Sequence, residues 1–105
     1  MIADNLQTPY YAVIFSTILS NDTEGYKATA ERMELLAKQQ KGFLGIESAR
    51  EKIGITVSYW QTLDAISAWK NNIEHTEVRE LGRNKWYKKY QLRICKVERE
   101  YGFKN

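Results

Sequence analysis

The stretch that decides the fold is Tyr10-Tyr11-Ala12-Val13-Ile14-Phe15-Ser16-Thr17-Ile18-Leu19. Aromatic and β-branched residues fill it, the composition of a strand. Its two faces are Tyr10, Ala12, Ile14 and Tyr11, Val13, Phe15, and both are apolar. A strand of that kind is buried on both sides. Whatever follows in the chain has to supply two covers, one for each face.

The downstream chain supplies one of them. Asn21-Asp22-Thr23 offers side chains that cap a helix. Tyr26, Ala30, Met33 and Ala37 then recur on one helical stripe, with Leu36 beside it, and Gly42 is a natural stop. Leu44–Arg50 and Ile55–Trp60 read as two strands of a hairpin turning at Glu51–Gly54. Thr62 caps a second helix through Lys70, in which Leu63, Ile66 and Trp69 share a face. Asn71-Asn72 interrupts the helix, and a third is expected from about Glu74 to Lys89, with Gly82 inside it. Leu92–Tyr101 reads as the last strand. The order βαββαβ predicts an α+β, ferredoxin-like domain, with a four-stranded antiparallel sheet and helices on one face. Residues 1–9 are polar and expected to form a flexible arm; 10–105 form a single domain.

The second face of the sheet still lacks a cover. The third strand adds Ile55, Val57 and Tyr59 to one face. A second copy of the chain, packed sheet to sheet about a two-fold axis, is the simplest cover, and a homodimer is expected. The alternative is a monomer whose arm folds over the sheet.

Composition narrows the function. The 105 residues are 43% hydrophobic and 28% charged, with a net charge of +3. A single cysteine, Cys95, excludes an internal disulfide framework and fits a reducing compartment, so a cytoplasmic location is expected. Neither a signal-peptide pattern nor a membrane-length apolar run is present, and no membrane partner is expected. One histidine and one cysteine do not make a conventional metal site, so no metal is expected. Between Arg79 and Lys96 basic residues outnumber the one acid, Glu80, and Trp86, Tyr87 and Tyr90 interleave. That mixture suits nucleic acid in principle, but no nucleic-acid motif accompanies it. A solvated helix face, or a basic rim around an anionic ligand with Arg83 at its centre, explains it better.

Three segments resemble the antibiotic biosynthesis monooxygenase domain. Ser58–Lys70, SYWQTLDAISAWK, has a strand ending in tryptophan, a short turn and a helix carrying another bulky residue. Gly42–Arg50, GFLGIESAR, is similar to the family's second strand, and His75 opens a helix where many members carry a histidine. The resemblance spans residues 10–101. It implies a dimeric α+β barrel with a pocket between each sheet and its helices. It also implies a choice of activities: oxidation of polycyclic phenols to quinones without metal or flavin, oxidation of quinols, or opening of haem. The haem-opening members place a histidine about ten residues after a helical tryptophan. Here Arg79 stands ten after Trp69, and His75 six after it.

The candidate site residues are His75, Trp60, Trp69, Asn72, Arg83 and Trp86. His75 has the one side chain with an ordinary pKa near 7, about 6.5, and is the candidate base or hydrogen-bond donor. His75, Gly82 and Trp86 fall on one side of a continuous third helix, and Gly82 would open room there for a flat ring. Trp60, Trp69 and Trp86 would line the pocket, and Arg83 or Asn72 would stabilise an anion. Plain core packing is the competing role for the tryptophans, and helix capping for His75. The expected function is a small cofactor-independent monooxygenase acting with O2 on a flat aromatic or quinol substrate. A haem-binding or haem-degrading enzyme and a non-enzymatic ligand-binding dimer are the alternatives.

Overall fold

The computed structural model describes residues 2–105, apart from the Ile73 side chain. The elements are β1 (Tyr10–Leu19), α1 (Tyr26–Lys38), β2 (Phe43–Arg50), β3 (Gly54–Trp60), α2 (Leu63–Lys70), α3 (Ile73–Leu81) and β4 (Tyr87–Val97). A single wide π-helical turn, Gly82–Trp86, joins α3 to β4. The strands form one antiparallel sheet in the order β2-β3-β1-β4, which is the ferredoxin-like arrangement.

Register assigns the faces. Tyr11 opposes Trp60 across β1 and β3, Val13 opposes Ser58, and Phe15 opposes Thr56. This face carries the helices. Its core is Trp60, Ala37 of α1 and Ile66 of α2, with Tyr11, Val13, Phe43, Ala65 and Trp69 packed around them. Trp60 has no exposed surface. Its indole N–H donates to Ser58 Oγ at 2.9 Å, so the polar edge of a buried ring is satisfied. Thr62 caps α2 as its sequence predicts, its hydroxyl accepting from the Ala65 N–H at 3.0 Å.

Four boundaries differ from the reading of the sequence, and one anchor accounts for two of them. The third helix does not run on to Lys89, and β4 starts at Tyr87 rather than Leu92. The Ser20 N–H donates to the Trp86 carbonyl at 2.7 Å, and Ser20 Oγ donates to the Lys85 carbonyl at 2.6 Å. Those bonds tie residues 85 and 86 to the end of β1, so the chain leaves the helix and pairs with β1 at once. At its far end β4 stops at Val97 rather than Tyr101. The first helix starts at Tyr26 after Gly25, whose φ of 80° is left-handed, and not on a side-chain cap from residues 21–23. The Trp86 indole N–H donates to the Glu24 carbonyl at 2.8 Å, which fixes the turn entering α1.

The second face of the sheet carries Tyr10, Ala12 and Ile14 of β1 beside Tyr59, Val57 and Ile55 of β3. One end of it is covered within the chain. Ala3 lies where a side chain on Gly45 would go, and the Leu6 N–H donates to Glu100 Oε2 at 3.1 Å. Tyr10 donates to the other oxygen of Glu100 at 2.6 Å and meets the Tyr59 ring edge-on. At the opposite end Ile18 and Ile55 remain 38% and 45% exposed. No helix of the described residues is long and apolar enough to cross a membrane.

Candidate functional site

Trp69 and His75 belong to different helices, and the break at Asn71-Asn72 brings them together. Asn72 Oδ1 accepts from the backbone N–H groups of Glu74 and His75, at 3.0 and 3.3 Å. This cap turns α3 back so that the His75 ring stacks on Trp69, with centroids 4.5 Å apart and planes 16° from parallel. Trp69 in turn stacks on Trp60 at 6.3 Å and 25°. The result is a column of three flat rings running from the core to the start of α3.

The imidazole is fixed in one tautomer. His75 Nδ1 lies 3.0 Å from the Trp69 carbonyl oxygen. A carbonyl only accepts, so Nδ1 carries the proton and donates it there. In the neutral ring the lone pair then resides on Nε2. Burial pushes the imidazole pKa below its ordinary value; the Trp69 carbonyl opposes this, and the nearby Arg79 cation adds to it. A neutral, oriented imidazole with a basic Nε2 is what proton abstraction near neutral pH requires.

The structure does not bring the other candidates to this column. Trp86 is buried at the far end of β1, packed edge-on against Tyr26 at 5.6 Å. It belongs to the turn between α3 and β4, not to a face shared with His75. Gly82 is buried too, but opens no room for a ring. A Cβ there would come within 2.8 Å of the Tyr87 ring, so the space is already filled by Tyr87. Arg83 is exposed. It donates to the Tyr90 hydroxyl at 2.6 Å and to Glu80 at 3.3 Å. Asn72 spends its side-chain oxygen on the helix cap, so it acts through the placement of His75.

A second aromatic group surrounds Tyr87. Phe15 meets it edge-on at 5.5 Å and Tyr26 at 5.8 Å, while Tyr90 packs on Phe15 at 5.4 Å. Arg50 lies across Gly54, where no side chain blocks it, and donates to Thr17 Oγ1 and, at 3.4 Å, to the Tyr26 hydroxyl. The sequence marks none of these as a cluster, because four elements contribute to it. Arg79 was also missed as a site residue. Its signal is the four-residue spacing from His75 on α3, which places both on one face. Its Nε is buried and has no hydrogen-bond partner.

Two shallow clefts of about 330 Å³ each flank the helices. One lies between α1 and α3 and is lined by Arg32, Met33, Glu74, Val78 and Leu81 among others; the second borders the start of α2, at Tyr11 and Leu63. Among the described residues no group of three or more His, Cys, Asp and Glu side chains converges as a metal site would need.

No family model matches the chain. A Bacillus subtilis protein that is itself uncharacterized, YqjZ, is 52% identical over 96 residues, spanning 90% of this chain and 84% of that one. Among solved structures, SnoaB of Streptomyces nogalater, a cofactor-independent oxygenase, has a TM-score of 0.75 at 10% identity, with 89% of this chain and 97% of that one covered. A Nitrosomonas europaea protein named for the antibiotic biosynthesis monooxygenases has a TM-score of 0.73 at 12% identity, with 88% and 93% covered. At such identities the shared property is the fold.

Proposed function

The chain belongs to the same family as Bacillus subtilis YqjZ and has the antibiotic-biosynthesis-monooxygenase fold, and from that premise we propose that it is a small cofactor-independent monooxygenase. Its substrate is a flat aromatic phenol or quinol, and its second substrate is O2. The observation that carries this reading is the His75 geometry: a neutral imidazole held by the Trp69 carbonyl, with the basic nitrogen opposite. SnoaB, which shares the fold, is a cofactor-independent oxygenase, and that supports the same chemistry here.

The reaction needs no outside reductant. His75 Nε2 takes the phenolic proton, and the resulting anion passes one electron to O2. The two radicals combine at the ring carbon as a peroxide. The peroxide O–O bond then breaks as the C–H proton leaves, so one oxygen stays as the new carbonyl and the other departs as water. A phenol and O2 become a quinone and water, and the proton held by His75 ends in that water. Trp69, stacked between Trp60 and the imidazole, holds the His75 ring in place from the core side.

The test is aerobic oxidation of anthrone to anthraquinone, followed by absorbance, with 18O2 to trace the inserted oxygen. His75→Ala is expected to lower kcat at least 100-fold, the low end for loss of a general base. Oxidation unchanged in that variant would remove the mechanism.

The same imidazole geometry also suits a haem ligand, since a fixed Nδ1–H raises the basicity of Nε2 toward a metal. The two readings part on hemin titration. A stoichiometric Soret shift lost in His75→Ala, and bleaching with reductant in air, would replace the cofactor-independent reading with haem degradation. In either reading the protein works as a homodimer through the second face of its sheet, and its location is the cytoplasm, as the unpaired Cys95 suggests.

A further inference from the structure

The helix side of the sheet is not covered from edge to edge. β4 is an edge strand, and on that side its Leu92 and Ile94 oppose Phe15 and Val13 of β1. Both stay open, at 45% and 48% exposed. One step back along β4, Tyr90 opposes Thr17; across the sheet from Thr17 come Gly54 of β3 and then Arg50 of β2. An apolar strip on β4 therefore ends beside a guanidinium.

Arg50 is not held as an ordinary surface arginine is. Its Nη2 donates to the hydroxyl of Thr17, which is buried, and at 3.4 Å to the hydroxyl of Tyr26 on α1. Its charge lies 5.8 Å from the centre of the Tyr26 ring. The seat exists because residue 54 is glycine: a Cβ there would collide with the guanidinium. No carboxylate neutralises it. Among the described residues the ion pairs are Arg32–Glu74 and Arg83–Glu80, and Arg50 makes none. The two N–H groups of Nη2 are engaged, which leaves those of Nε and Nη1 for a ligand, on a residue that is exposed to solvent. A cation already fixed in place gives up little freedom when it binds.

We propose that Arg50 and the β4 strip form a second binding site, independent of the His75 reading, for an amphiphilic carboxylate. The planar guanidinium presents paired donors that match the two carboxylate oxygens. The apolar chain lies along Tyr90, Leu92 and Ile94. Side chains on one face of a strand recur about every 7 Å, so a chain leaving Arg50 meets Leu92 first and Ile94 one step later.

The test is isothermal titration of the whole protein with octanoate and with octanamide, its neutral counterpart. The wild type is expected to bind octanoate roughly tenfold more tightly, the worth of one charge-assisted hydrogen-bonded pair. Arg50→Gln is expected to erase that preference. Gly54→Ala keeps every charge; the backbone there is ordinary, and the methyl displaces only the end of a flexible side chain, so the fold is kept and most of the preference is expected to go. Leu92→Gln is expected to weaken both ligands alike, and Lys52→Gln, at an exposed turn, to change neither. Equal affinity for the two ligands in the wild type would overturn the proposal, as would a preference that survives in folded Arg50→Gln. If Arg50→Gln lost its native circular dichroism, Gly54→Ala would decide. A preference undiminished in Gly54→Ala, or lost in Lys52→Gln, would reduce the effect to bulk charge and overturn the site. Octanoate binding unaffected by Leu92→Gln would overturn the placement of the chain. Anthrone oxidation enters none of these readouts, so the functional reading stands or falls separately.

Discussion

At the residue scale, the single histidine makes its own titration readable, because one imidazole signal belongs to one site. Burial, the largest cause, lowers its pKa below the ordinary value of about 6.5, and Arg79 lowers it further. The sign follows. Above pH 6.5 the imidazole is neutral whether the chain is folded or not, and the fold keeps its full stability from this group. As the pH falls from 6.5 toward the folded-state pKa, the unfolded chain takes up a proton that the native one refuses, and stability drops. Proton NMR of the ring is expected to show a midpoint below 6.5, and Arg79→Gln is expected to raise it. The acid limb of kcat/KM should follow the same midpoint. A midpoint above 6.5 in the wild type would contradict the buried, neutral imidazole. Tyr10 gives a second check at the alkaline end. Burial and the Glu100 carboxylate push its hydroxyl up to about 12, so its contribution is intact below pH 10 and lost between 10 and 12.

At the element scale, the strands and α2 were legible because their signals are local. β-branched and aromatic runs mark β1 and β3, and Thr62 marks the start of α2. The junction from α3 to β4 was not legible. Lys85–Leu92 alternates charge and aromatic residues in a way that suits a helix or an edge strand equally. What decides is the pair of bonds from Ser20, which lies 65 residues before Lys85 in the chain. The candidate site divided along the same line. Trp60, Trp69 and His75 come together because a capped turn joins α2 to α3. Trp86 separates from them because the helix ends early, and Arg79 carries no signal beyond its spacing. Asn72 and Gly82 make this testable. Asn72→Ala removes a cap that accepts two N–H groups and should cost about 1 kcal/mol in urea denaturation, with Asn72→Asp recovering most of it. Gly82→Ala forces a methyl into the Tyr87 ring and should cost about 1–3 kcal/mol. Pairing it with Tyr87→Leu should restore part of that loss, since the backbone at Gly82 is ordinary helix and the clash is steric alone. An additive double mutant would show that the two residues do not press on one another.

At the scale of the whole molecule, the question is the second face of the sheet. A monomer sealed by its own arm requires that arm to cover the face from end to end. It covers only the end at Tyr10, Gly45 and Tyr59, where Ala3 packs and Leu6 is tied to Glu100. Ile18 and Ile55 lie at the other end and remain open, continuous with half-buried Ile14 and Val57. An apolar strip on the face of a sheet is ordinarily met by another layer, and a second copy presents the same strip back about a two-fold axis. Ile55→Glu places a carboxylate in that strip, and in the dimer the two-fold axis brings two such charges together. Because Ile55 is already 45% exposed in the single chain, the monomer fold tolerates the change. Sedimentation equilibrium is therefore expected to show a dimer for the wild type at tens of micromolar and a folded monomer for Ile55→Glu. A monomer for the wild type would assign the open strip to something other than self-association. The same variant tests whether the site needs the dimer, because His75, Trp69 and Arg79 all lie on the helix side of the sheet. If the site is complete within one chain, folded monomeric Ile55→Glu should keep the anthrone oxidation rate of the wild type.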